Sequence, residues 1–187
     1  LKIATGGIHP TTYPKEILTN CNDIDYVAIG EGENTIVALS ACIKAKNESL
    51  LSHIKSFAYR DKDGAVKINR ETNYIDDLDS LPMPAYDLIN IEDFATKMDH
   101  YYNPKNLPIN YKTAIFASRA CPLACNFCDM FLVMGKKHRK RSVKHIVDEI
   151  ELLHKEHGVN YFSFMDDNLT LNRSHIMDLC DEILNRK

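Results

Sequence analysis

The chain has 187 residues, 44% hydrophobic and 26% charged, the make-up of a globular protein with room for one ordinary domain or two small ones. Its net charge of −3 gives no overall pull toward nucleic acid or an anionic membrane, and no apolar run approaches the ~20 residues that span a bilayer. Six cysteines, clustered at Cys121, Cys125 and Cys128 and scattered at Cys21, Cys42 and Cys180, fit a metal site in a reducing cytoplasm better than a disulfide-stapled secreted domain.

Residues 1–5 are expected to form a short strand ending at Gly6-Gly7. The chain opens on Leu1 with strand-like residues and no secretory leader, so a piece of a longer chain is expected. Residues 8–13, including His9, read as a loop, and a short helix follows with Pro14 in its first turn. Residues 25–29 read as a second strand that meets "GEGE" at 30–33. A helix over 34–47 is expected next, capped by Asn34 or Thr35, with Ile36, Val37, Ser40, Ala41 and Ile43 on one face. Strand, glycine turn and helix in that order belong to an α/β domain.

Residues 56–60 and 65–69 flank Asp61-Lys62-Asp63-Gly64, the pattern of a β-hairpin. From 76 to 112 regularity fades, and "LDSLPMPAYDLI" resists both helix and central strand, so a surface linker is expected. Residues 113–118 form a strand that leads into the cysteines. Residues 142–158 form a helix, with Ser142 as cap, Gly158 as stop and a stripe of Val143, Ile146, Val147, Ile150 and Leu153. Residues 160–165 form another strand. Asn172 then caps a last helix with Ile176, Leu179, Cys180, Ile183 and Leu184 on one face. Cys42 and Cys180 read as core residues, and Cys21 as a free thiol after a helix. These changes of pattern divide the chain into 1–53, 54–112 and 113–187.

Structural zinc usually takes two ligand pairs, and no second cysteine pair follows here, although His138 offers a fourth ligand. Iron–sulfur carriers close the coordination with a fourth cysteine, which is not nearby. Three thiolates on a four-iron cluster leave one iron open, which catalysis needs. The cysteines follow one strand and Asp166-Asp167-Asn168 follow the next, so both are expected on the ligand-binding rim of a parallel sheet.

"SRACPLACNFC" resembles the C-x3-C-x2-C motif of radical S-adenosylmethionine enzymes. The resemblance implies a [4Fe-4S] cluster on Cys121, Cys125 and Cys128, with S-adenosylmethionine chelating the open iron. One electron from an external reductant would release a 5′-deoxyadenosyl radical that takes hydrogen from a small-molecule substrate. It implies adenine contact at Phe127 and cofactor or substrate contacts at Asp166, Asp167 and Asn168, where "MDDN" replaces the more usual Gly-Gly-Glu. Ala120 stands where a glycine is common; alanine disfavours positive φ, so a somewhat different turn is expected. The basic run at 135–145 reads as a solvated loop, while the resemblance also places Arg141 near S-adenosylmethionine or substrate.

"GGIHPTTYPKEIL", "YVAIGEGENTI" and "LDSLPMPAYDLI" resemble, in order, the end of a cobalamin-binding domain and the linker after it. The resemblance implies cobalamin along Gly6, Gly7, Thr11, Gly30, Glu31, Gly32 and Glu33; the plainer reading is that these glycines make βα turns. The expected fold class is α/β: the C-terminal part of a Rossmann-like cobalamin-binding domain plus the first two βα units of a partial TIM-type radical S-adenosylmethionine barrel. The implied activity is cobalamin-dependent methylation of an unactivated carbon or, alternatively, oxidative ring closure or rearrangement, with this piece inactive by itself. Readings from other classes are a zinc-stabilised nucleic-acid-binding module and a plain electron carrier.

Overall fold

The computed structural model describes residues 1–91, 108–109 and 111–186. Tyr101 and Tyr102, and much of the expected linker with them, lie outside the described residues. The chain divides into two compact units, Leu1–Ile75 with Cys121–Lys136, and Asp76–Ala120 with Lys137–Lys187.

The first unit is built on a mixed four-stranded sheet in the order β1-β2-β3-β4. β1 (Ala4–Thr5) runs parallel to β2 (Tyr26–Ala28). β3 (Phe57–Arg60) and β4 (Val66–Asn69) are the expected hairpin, and β3 pairs antiparallel with β2 to extend the same sheet. The hairpin closes through Lys62-Asp63-Gly64, where the Asp61 carboxylate accepts from the N–H groups of Asp63 and Ala65 and Gly64 takes φ 80°. Strand alternation then sorts the core. Tyr26 and Phe57 pack with Leu39, Cys42, Leu51 and Ile54 in one cluster; Val27 and Ala58 pack with Leu18 in another.

Three expectations need correction in this unit. Residues 8–12 form a helix, α1 (Ile8–Thr12), and His9 lies in it. Pro10 is compatible with that first turn because its missing N–H has no intrahelical partner there in any case. α2 (Pro14–Asn20) follows with Pro14 at its start, as the sequence implies. α3 (Glu33–Ala45) is capped by the backbone of Gly32, not by Asn34 or Thr35. Its buried face is Thr35, Leu39 and Cys42, whereas Ile36, Val37 and Ile43 are exposed. Both faces of the helix are apolar, so hydropathy alone does not choose between them.

The second unit pairs β5 (Lys112–Ile115) in parallel with β8 (Tyr161–Phe164). The expected strand at 113–118 is broken: β6 (Ser118–Arg119) leaves it to pair antiparallel with β7 (Arg139–Lys140). α4 (Met130–Met134) belongs to the first unit. α5 (Val143–His157) starts at Ser142, whose side chain accepts from His145 N–H, and stops at Gly158 with φ 68°. Its stripe is as expected: Ile146 and Val147 pack on Ile115, Ala117 and Leu179, and Leu153 packs on Val159 and Ile91. α6 (Arg173–Asn185) is capped by Asn172 and buries Leu179, but Cys180 is exposed and is not a core residue. Among the described residues no helix is long and apolar enough to cross a membrane.

The end of α2 is tied to β3 by one side chain. Arg60 donates to the carbonyls of Leu18 (3.0 and 2.7 Å), Cys21 (2.6 Å) and Ile24 (2.8 Å). A cation at a helix C-terminus also meets the favourable end of its dipole. Arg60→Met removes all four donations and should cost about 2–3 kcal/mol. Equilibrium urea unfolding should show a lower midpoint at unchanged m-value. A change below about 0.5 kcal/mol would mean that water replaces the guanidinium.

Candidate functional site

The cysteine stretch begins where β6 ends. Ala120 is 1% exposed and holds φ 68°, and Ala124 holds φ 42°, both left-handed conformations that alanine resists. The left-handed turn before Cys121 is thus made by alanine, against its preference. The N–H of Cys128 donates to the carbonyl of Cys125 at 3.0 Å, which closes a tight turn, and α4 follows directly. None of the three cysteines is in a disulfide, and all are half-buried. Phe127, between the last two, is 93% exposed, and an open depression of about 410 Å3 is lined by Cys125, Phe127, Cys128, Phe131 and Leu132.

Among the described residues no three His, Cys, Asp or Glu side chains are grouped to hold a single metal ion. Zinc requires its sulfurs at about 2.3 Å from one centre. A four-iron cluster gives each thiolate its own iron, so its ligands need not meet at a point. The donor set, three cysteines outside any disulfide on one short loop, fits the cluster in number and chemistry.

The glycines of the first unit fall into two kinds. Gly7 holds φ 105°, and a Cβ placed there meets nothing within 4 Å; the same open space surrounds Gly32. A Cβ on Gly6 makes only ordinary contact, 3.6 Å from Ala28. Those backbones are free for a close ligand. Gly30 (φ 70°) instead lies under α4, where a Cβ would sit 3.2 Å from Val133 O and 3.7 Å from the Tyr74 ring. Gly135 (φ 76°) meets the same ring at 2.9 Å. Thr11 Oγ1 accepts from Gly30 N–H at 2.9 Å, and Glu31, 5% exposed, accepts from Ile75 N–H at 2.8 Å. Thr11, Gly30 and Glu31 are thus built into the unit's own packing. Glu33 sits half-buried in the first turn of α3.

In the second unit, Asp166 follows β8. Its two carboxylate oxygens share the N–H of Ala117, each at 3.1 Å, and one also accepts from Ser118 Oγ at 2.5 Å. Asp167 is exposed and Asn168 half-buried. The basic run differs from a solvated loop. Arg139 is 3% exposed, and Arg141 forms an ion pair with the buried Glu149 at 2.5 Å and donates to Phe116 O at 2.9 Å and His145 O at 3.1 Å. Tyr86 donates to the other Glu149 oxygen at 2.5 Å; burial, and then this bond to a carboxylate, pushes its phenol well above the ordinary tyrosine range. Arg141 therefore fastens α5 internally. Sequence reasoning missed this group because Tyr86, Arg141 and Glu149 converge only in three dimensions. Burial, and then nearby Lys140, hold His138 below the ordinary histidine value.

The chain has the fold of solved cobalamin-dependent radical S-adenosylmethionine enzymes. It superposes over 99% of its length on the cobalamin-dependent S-adenosylmethionine radical enzyme OxsB with aqua-cobalamin and S-adenosylmethionine bound (TM-score 0.73, 20% identity, 24% of that chain). It matches in the same way the radical S-adenosylmethionine methyltransferase TsrM from Kitasatospora setae (TM-score 0.69, 19% identity, 99% of this chain and 33% of that one). In sequence it is 31% identical over 177 residues to an uncharacterised methyltransferase of Pyrococcus horikoshii (95% of this chain, 36% of the relative). It is 32% identical over 183 residues to the anaerobic magnesium-protoporphyrin IX monomethyl ester cyclase of Cereibacter sphaeroides (97% and 28%). It is 30% identical over 196 residues to the cytidylyl-2-hydroxyethylphosphonate methyltransferase of Streptomyces wedmorensis (94% and 36%). The chain thus spans about a third of the length of these curated relatives. No protein-family model matches it.

The strain at Ala120 is measurable. A left-handed alanine costs about 1–2 kcal/mol, and glycine in its place returns about 0.5–1 kcal/mol of that as unfolded-chain entropy. Ala120→Gly should therefore stabilise by about 0.5–1 kcal/mol, seen as a raised thermal midpoint; a lowered midpoint would mean that the alanine methyl packs better than its backbone is strained.

Proposed function

We propose that the protein of which this stretch is part is a radical S-adenosylmethionine enzyme that binds cobalamin and methylates an unactivated carbon of a small-molecule substrate. The observation that carries the reading is the loop of three half-buried cysteines, Cys121, Cys125 and Cys128, none in a disulfide, which follows β6 within this fold. The three thiolates would hold a [4Fe-4S] cluster and leave one iron for S-adenosylmethionine. When bound, the cluster and cobalamin supply an electron for carbon–sulfur cleavage and a carrier for the methyl group. Exposed Phe127 offers a flat apolar face to an adenine ring. Asp167 and Asn168 follow β8 and are proposed as cofactor or substrate contacts. Gly6, Gly7 and Gly32 would let a corrinoid approach the backbone, with Glu33 next to Gly32 in the first turn of α3.

We further assign 1–53 to the end of the cobalamin-binding part, 54–112 to the hairpin and linker, and 113–187 to the start of the barrel. An external one-electron reductant and a cytoplasmic setting go with that chemistry. Oxidative ring closure is kept as a second reading because a cyclase is among the relatives.

Anaerobic reconstitution of the full-length protein should give about four irons per chain and reductant-dependent 5′-deoxyadenosine. Cys125→Ala should abolish both. A colourless protein carrying one zinc, or a Cys125→Ala variant that still binds four irons and cleaves S-adenosylmethionine, would sink the proposal. Methylation yields S-adenosylhomocysteine beside 5′-deoxyadenosine, whereas ring closure yields 5′-deoxyadenosine alone.

A further inference from the structure

Asp166 has its carboxylate turned onto the chain itself. Ala117 N–H lies 3.1 Å from both oxygens and Ser118 Oγ lies 2.5 Å from one. Ala117 and Ser118 are buried, at 1% and 5% exposure. They stand four and three residues before Cys121. The same short segment is held from its other side: Arg141 N–H donates to Ala117 O at 2.9 Å, and Ser118 pairs with Lys140 across β6 and β7. Between this segment and the first thiol lies only Arg119 and the left-handed Ala120. A strained residue persists only where its surroundings over-determine it.

We propose that Asp166 is a positioning residue for the cysteine loop. It fixes the backbone at Ala117 and Ser118, the segment that ends three residues before Cys121. A carboxylate suits the task because it accepts from an N–H and an O–H at once, and charge-assisted bonds are the stronger kind. Asn at the same position keeps one acceptor oxygen and turns the other into a donor facing donors. Neighbouring Asp167 is exposed, so the two aspartates divide the work: one holds the protein and the other faces outward.

The inference rests on the iron–sulfur reading, and the test keeps the two separable. Asp166→Asn, Ser118→Ala and the double variant are made in the full-length protein and reconstituted. If Asp166 positions the loop, both single variants shift the electron paramagnetic resonance spectrum of the reduced cluster without S-adenosylmethionine present. The double variant then shifts it no further than Asp166→Asn alone. A spectrum that changes only when S-adenosylmethionine is added, in Asp166→Asn but not in Ser118→Ala, overturns the proposal in favour of direct cofactor contact. Amide hydrogen exchange of residues 117–121 in the cluster-free protein is the second readout. It should rise roughly tenfold in both single variants, the effect of one lost charge-assisted bond. Unchanged exchange overturns the proposal. A wild-type protein that takes up no cluster overturns the functional reading, and the exchange measurement still decides the role of Asp166.

Discussion

Ile115 pairs with Phe164, and the N–H of Met165 still reaches Ile115 O at 3.0 Å, so β5 and β8 end level with each other. That register is what places Asp166 opposite Ala117. A one-residue slip would turn every side chain of β8 to the other face and carry the carboxylate away from its donors. The parallel pair therefore decides how the chain leaves β5. It leaves through a buried, hydrogen-bonded segment into the left-handed Ala120. A loop that must present three sulfurs in a set arrangement gains from such an entry, because fewer residues are left to be ordered when ligands bind.

The second constraint on that segment is ionic. Glu149 is 4% exposed and takes a hydrogen bond from Tyr86 and an ion pair from Arg141. Arg141 in turn holds Phe116 O and His145, and Asp79 accepts from Ser142 N–H at 2.9 Å. Burying a carboxylate is costly unless charge and hydrogen bonds both meet it, and here both do. The arrangement links the residues after Asp76, the end of β5 and the start of α5. A cavity of about 290 Å3 lies against it, lined by Leu78, Leu81, Pro82, Pro84, Arg141 and His145 among others. The prolines that resist regular structure thus lead the chain across α5, where Leu78 and Ile91 are buried.

What was legible in the sequence was local. The cysteine spacing, the Ser142 and Asn172 caps, the stripe of α5 and the Asp-Gly hairpin each need only a few neighbouring residues. What was not legible depends on partners far along the chain. α3 has apolar residues all round, and only the sheet chooses Leu39 and Cys42 over Ile36 and Val37. The basic run looks like one solvated patch until Glu149 and Tyr86 claim Arg141. α1 was hidden by Pro10, which discourages a helix in general but not at its first turn. At Asp166 the sequence shows a polar residue after a strand, but not that its carboxylate is taken up by Ala117 and Ser118, some fifty residues earlier in the chain.

The glycines carry the same distinction to the front sheet. In sequence, Gly6, Gly7, Gly30 and Gly32 are equivalent: each follows a strand and leads to a helix. In space, Gly30 shares Tyr74 with Gly135, the two positive-φ backbones lying against opposite edges of one ring, and Val133 O closes over Gly30. A side chain at either would meet protein, so packing explains the absence of one. Gly7 and Gly32 face open space, where packing gives no reason to exclude a side chain, and only Gly7 also needs its positive φ. The absence of a Cβ at Gly32 is therefore the more pointed observation. Its backbone conformation is open to any residue, yet no Cβ stands there at the start of α3. Open space thus lies at Gly7 and Gly32, whereas Gly30 packs under the helix that follows the cysteines.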